Sequence, residues 1–166
     1  MSDDSHSAQR GFTWIELVMV IAVIAILAGL ALPGMQEAAV KKQVKEALTL
    51  ADLAKAGVQA AYTLTGIMPA NNEAAGLPAK DKIVGNLVSE VNVDGGAITV
   101  SFGNNASKLL HGKHVTLRPA IMPGEARVPI AWVCHDMKVP AGMELVGQDL
   151  TDLPPSHLPV DCRGGK

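Results

Sequence analysis

The alternation of apolar and polar positions divides the chain into three textures. Residues 17–36, "LVMVIAVIAILAGLALPGMQ", are twenty in a row without a charge. As a helix that run is roughly 30 Å long, the thickness of a bilayer's hydrocarbon core. Behind it, "MQEAAVKKQVKEALTLADLAKAGVQAAY" places apolar residues at Val40, Val44, Leu48, Ala51, Ala54, Val58 and Ala61. Spacings of three and four put these on one face of an amphipathic helix. Glu37 with Lys41, and Lys42 with Glu46, fall at i,i+4 and support it. The pattern predicts one long helix over residues 13–63, interrupted near Gly29 and Pro33. A proline there removes one backbone hydrogen bond and crowds the carbonyl four residues earlier.

After Tyr62 the texture changes. "TLTGIMPANNEAAGLPAKDKIVGNLV" is rich in Gly, Pro, Asn and Ala and reads as a connecting loop, with a short helical turn over residues 80–87. "LVSEVNV" and "AITVSF" then flank "DGG", a hairpin signature. "HVTLRPAIM" and "VPIAWVC" give two more β-branched apolar runs. Four strands joined by short turns predict an antiparallel meander, one face of which covers the second half of the helix. The expected fold class is α+β.

The chain's 166 residues suffice for one ordinary domain plus a spanning segment. The net charge of -2 selects no particular partner, and the totals supply no basic face for nucleic acid. The opening "MSDDSHSAQRG" is polar and slightly acidic. A secretory signal would have a basic start, a shorter apolar stretch and a small-residue cleavage site after it; none of these is present. A plain retained membrane helix accommodates Glu16 badly. A carboxylate inside the apolar zone costs on the order of 2.5–3.5 kcal/mol and marks a partner or a function.

"RGFTWIELVMVIAVIAILAGLALPG" resembles the N-terminus of a type IV prepilin. In that family a polar leader ends in Gly, and a prepilin peptidase cuts after it and N-methylates the new first residue, usually Phe. A Glu lies four residues further on. Gly11, Phe12 and Glu16 match these positions, and Pro33 matches a helix-breaking proline usual in the family. Trp14 stands where Leu is common, and the leader lacks the usual basic excess. The resemblance implies a leader over residues 1–11, a membrane and filament-core half-helix over 12–35, and a globular head over 36–166.

Glu16 then has two readings. It snorkels to the interface, or it pairs with a free Phe12 amine, each charge being costly in apolar surroundings unless paired; one turn of helix separates the two within a chain, while the resemblance implies a pairing with the amine of a neighbouring subunit. The stretch from Gly29 to Pro33 likewise reads as a simple kink or as a segment that melts and extends within a filament. The family has a C-terminal loop bounded by a disulfide, which implies a Cys134–Cys162 bond. The twenty-seven residues between contain "PPSHLP" and few structure-forming patterns, so the segment would fray without closure. On the chain-entropy relation the bond stabilises by roughly 3.6 kcal/mol, and it needs an oxidising compartment such as the periplasm.

Other candidate chemistry is weak. His111 and His114 in "HGKH" have no further Cys or acid ligand in the neighbouring sequence. "CHD" at 134–136 would set neighbours on opposite strand faces, and a bridged cysteine is no nucleophile. "NAS" at 105–107 matches a glycosylation sequon but reads as a turn after the second strand. No phosphate-binding loop appears. The expectation is a non-enzymatic filament subunit without metal or cofactor, inserted in the inner membrane as a precursor and then assembled into an extracellular pilus. Its expected partners are copies of itself, the prepilin peptidase and the inner-membrane assembly machinery. A host surface or DNA is a further candidate, through adhesion, twitching motility or DNA uptake. The alternatives are a minor, DNA- or surface-binding pilin and a pseudopilin of type II secretion.

Overall fold

The computed structural model describes residues 12–164, and within its helix the side chains of residues 30–35 are left undescribed. Gly11, the expected cleavage glycine, lies outside the described residues. Helix α1 runs Trp14–Thr65, 52 residues. Thr13 opens it: its carbonyl accepts the Leu17 N–H at 3.2 Å, and its hydroxyl oxygen lies 3.4 Å from the Glu16 amide nitrogen. That is the work of an N-cap, and it sets Glu16 in the first turn, where the helix dipole favours a carboxylate. Gly66 closes the other end, at φ 70 with its N–H on the Tyr62 carbonyl at 2.8 Å. The left-handed conformation is open to glycine because it has no Cβ. Helical geometry continues through Gly29 and Pro33, where the sequence predicted an interruption. A proline costs its own helical bond, but the bonds of the turns on either side keep the backbone helical.

Two compact units divide between Gln36 and Glu37. In the second, Glu37–Lys166, five antiparallel strands form one sheet: β1 (Val88–Asp94), β2 (Ala97–Phe102), β3 (His114–Ile121), β4 (Ala131–Cys134) and β5 (Glu144–Leu145). The first four lie in sequence order, the predicted meander. Asp94 pairs with Ala97 across Gly95 and Gly96, both at positive φ, so "DGG" makes the tight hairpin. β4 begins at Ala131 and not at Val128: Pro129 has no N–H for a ladder, and the Ile130 N–H is given to Gln59 Oε1 at 2.7 Å. β5 was not expected, since two residues are too few to show an alternation; it pairs Ala120 with Leu145. The predicted helical turn over 80–87 is a shorter 3-10 turn, Lys80–Lys82, ended where the Gly85 N–H bonds the Val88 carbonyl at 2.9 Å.

The core lies between the second half of α1 and the sheet. Val40, Val44, Ala47, Ala51, Ala54, Val58 and Tyr62 are buried together with Val91, Val93, Ile98, Val100, Phe102, Val115 and Leu117. Leu48 and Ala61, expected in this set, are only half-buried, while Ala47 and Tyr62 take the inward positions. Two helix glutamines bind the head: besides the Gln59 contact, Gln43 Oε1 accepts the Ser107 N–H at 2.9 Å.

The loop between α1 and β1 is fixed by buried Asn72. Its Oδ1 accepts the Val93 N–H at 2.7 Å, and its Nδ2 donates to the Val91 carbonyl at 3.0 Å and the Pro78 carbonyl at 3.1 Å. β1 is the edge strand, so one side-chain amide does there what a neighbouring strand would do. Asn72→Ala leaves buried backbone groups unpaired and should cost about 2–3 kcal/mol in urea unfolding. Asn72→Asp keeps the acceptor for Val93 and loses both donors, so it should not restore the wild-type midpoint. A midpoint unchanged by either substitution would mean that water replaces the amide.

Candidate functional site: the apolar helix and the disulfide-bounded segment

Every residue from 12 to 29 is exposed. The set includes Phe12 at 72% and Trp14 at 81%, followed by Ile15, Met19, Ile21, Ile24, Ile26 and Leu27. Glu16 is the one charged side chain in this stretch. Among the described residues no helix is long and apolar enough to cross a membrane. The uncharged run of the sequence takes in residues 30–35, whose side chains are outside that set. A helix apolar on all sides is stable only with apolar surroundings. In them, a lone carboxylate calls for a cation.

The cysteines are joined: Cys134, the last residue of β4, is bonded to Cys162, with Cα atoms 4.8 Å apart and both residues buried. The segment between has more core than its sequence suggests. Leu153 and Leu158 are buried in the main core, and the Arg163 guanidinium donates twice to the Leu158 carbonyl, at 2.7 and 2.8 Å. Residues 149–152 continue along β3 where β4 stops. The His114 N–H reaches Asp152 Oδ1 at 2.6 Å, the Thr116 N–H reaches Thr151 Oγ1 at 3.0 Å, and the Asp152 N–H returns to the His114 carbonyl at 3.2 Å. Val160, 79% exposed, Leu150 and Val139 are large apolar residues that this segment shows to solvent.

The remaining candidates fall into structural roles. His111 is exposed in a turn, and His114 opens β3. Among the described residues no three His, Cys, Asp or Glu side chains gather as a metal site. "CHD" does not continue as a strand: β4 ends at Cys134 and His135 turns at φ 47. Its ring therefore reaches Asp149 at 3.0 Å and Asp136 at 3.2 Å, where opposite strand faces had been expected. Burial acts to raise the Asp149 carboxyl, but hydrogen bonds from Thr151 and the His135 ring outweigh it and hold the group below the usual carboxylate range. Asn105 sits in the turn after β2, its Nδ2 donating to Asn86 Oδ1 at 2.7 Å. Asn72 and Asp149 had no signal in the sequence, since each is one polar loop residue among several and its partners lie far away along the chain.

An exposed apolar N-terminal helix ahead of an α+β head closed by a disulfide is the build of a protein that assembles with its own kind. Residues 40–163 match the pilin family of bacterial filaments, and residues 6–32 match the prokaryotic N-terminal methylation motif. The chain belongs to the pilin family, and is a structural protein and not an enzyme. It is 36% identical over 165 residues to the type IV major pilin protein PilE1 of Neisseria gonorrhoeae, covering 95% of this chain and 89% of that protein. Identity to the type IV major pilin protein PilE of the same species is 35% over 164 residues, 95% of this chain and 96% of that one. A fimbrial protein of Neisseria meningitidis serogroup B is 32% identical over 167 residues, with 95% and 96% covered. The similarity to type IV pilins thus spans both the apolar helix and the head.

Proposed function

We propose that the chain is the major structural subunit of a type IV pilus, made as a precursor and polymerised through its N-terminal helix. The observation that carries this reading is the exposed apolar helix with Glu16 as its one charge, inside the segment that matches the methylation motif. A prepilin peptidase cuts after Gly11 and methylates Phe12. The apolar half-helix holds the precursor in the inner membrane. It then exchanges lipid for the same half-helix of neighbouring subunits, an exchange of one apolar environment for another that the assembly machinery drives. In the filament Glu16 of one subunit meets the Phe12 amine of the next and sets their axial register, as a single buried polar group does in coiled coils. The peptide around Pro33 is the place where the helix yields during packing, because it already lacks one helical bond.

Exposed apolar side chains on the head support contacts between subunits there as well: Leu64 is 86% exposed and Ile67 is 72% exposed, beside Ala60 and Ala61. The finished filament stands outside the cell, where an oxidising environment keeps Cys134 and Cys162 joined. The relatives named as major pilins favour the major subunit over a minor one.

Intact mass of protein from sheared filaments tests processing and location together. The expected mass is that of residues 12–166 with one added methyl group, and this species should dominate the preparation. A chain that begins at Met1 would refute the processing reading, and a trace species would make it a minor component. Gly11→Val should block cleavage, since a bulkier side chain does not fit a site shaped for glycine, and the variant should stay full length.

A further inference from the structure

We propose that the disulfide-bounded segment is fastened to the sheet by a proton-operated clasp, in which Asp149 grips the ring of His135, with Asp152 standing near that of His114, and the hold tightens when those rings are protonated. The two carboxylates stand three residues apart in "DLTD". Asp149 Oδ2 lies 3.0 Å from His135 Nδ1 and 4.0 Å from Arg118 Nη2. Asp152 Oδ2 lies 3.8 Å from His114 Nδ1 and 3.4 Å from Lys113 Nζ. The other ring nitrogen of His135 faces a third carboxylate, with Nε2 3.2 Å from Asp136 Oδ2. Both nitrogens of that ring therefore look at acceptors. A neutral imidazole has one N–H, so one carboxylate must face a lone pair; an imidazolium has two and satisfies both.

The backbone is arranged for this contact. His135 and Asn104 are the non-glycine residues with positive φ among those described, a conformation uncommon for residues that carry a Cβ. Arg118 Nη2 donates to the His135 carbonyl at 3.1 Å and holds the turn. His135 directly follows Cys134, so the ring is tied to the disulfide and to the end of β4. On the other side, residues 149–152 supply the hydrogen bonds that close the first half of β3. Loosening the clasp frees that edge and slackens the loop within the disulfide.

The charged groups that face the rings set the pH window. Asp149, Asp136 and Arg118 surround His135; Asp152 and Lys113 stand by His114. Asp149 titrates below the usual carboxylate range, so its contribution is present above the unfolded carboxyl's value and lost as pH falls through the folded one. The clasp is closed when the rings are protonated and Asp149 is ionised, and looser when either condition fails.

Amide hydrogen exchange on the full-length chain in detergent micelles tests this. The Leu150 N–H donates to Thr116 Oγ1 at 3.2 Å and the Thr151 N–H to Asp149 Oδ1 at 2.9 Å, so both report on the segment. Corrected for intrinsic rates, their protection should be about tenfold higher at about pH 5.5 than at about pH 8. His135→Gln combined with His114→Gln should flatten that response, and Asp149→Asn should remove the extra protection. Val100 and Val115 amides serve as the control for an intact core. Equal protection at both pH values in the wild type overturns the proposal, and so does a pH response that persists in the doubly substituted chain.

Discussion

Cells whose only copy of this subunit carries Glu16→Gln are expected to make processed protein and no filaments. The substitution keeps size and shape and removes the charge. If Glu16 pairs with the Phe12 amine of a neighbour, the variant leaves an ammonium uncompensated in apolar surroundings. Loss of one partner from a buried pair costs about 3–5 kcal/mol, and the cost recurs at each subunit added. Cleavage should proceed as before, because the bond cut after Gly11 lies about five residues from the substitution along the chain. Electron microscopy of sheared material, with a blot of the membrane fraction, separates the outcomes. Normal numbers of filaments from Glu16→Gln subunits would leave the snorkelling reading standing. That reading makes a second forecast of its own: the uncharged variant should insert into the membrane more readily than wild type.

The second large effect is expected at the disulfide. Cys134→Ser with Cys162→Ser removes a bond between residues separated by 28 positions. The loss of chain constraint is worth roughly 3.6 kcal/mol, or about 10–15 °C of melting temperature for a unit of this size. Reducing the wild-type chain should give a similar shift. Because Leu153 and Leu158 remain anchored in the core, the segment should loosen and stay attached, so limited proteolysis should cut first around exposed Pro154–Ser156 and not at Leu158. A melting temperature that does not respond to reduction would show that the segment's other contacts, those of Leu153, Leu158 and residues 149–152, hold it without the bond.

Much of this was legible because it is periodic. Val40, Val44, Ala51, Ala54 and Val58 announce the inward face of α1 through spacings of three and four. "DGG" fixes the β1–β2 hairpin through a backbone conformation open to few residues. The motif around Gly11, Phe12 and Glu16 is local, so it needs no fold to be read. What escaped depends on contacts between distant residues. Asn72 reaches Val93 across 21 positions, and Thr116 reaches Thr151 across 35; neither distance leaves a pattern along the chain. The turn at His135 escaped for a different reason. Residues 134–136 were expected on alternate strand faces, but the strand ends at Cys134, and a positive φ at His135 then swings the ring onto Asp149. Ala47 and Tyr62 take the places expected of Leu48 and Ala61 because either member of each pair keeps a spacing of three or four from its buried neighbours, so the periodicity does not choose between them.

Asn72 has a consequence for life in a polymer. A filament holds its subunits at an effective concentration of order millimolar or above. An edge strand with bare N–H and C=O groups would at that density be a template for another chain's strand, the route to amyloid-like stacking. The Asn72 amide occupies two of those groups on β1, the Val91 carbonyl and the Val93 N–H, from within the same molecule. Crowding therefore favours contacts between side chains of neighbouring heads over strand exchange at that part of the edge.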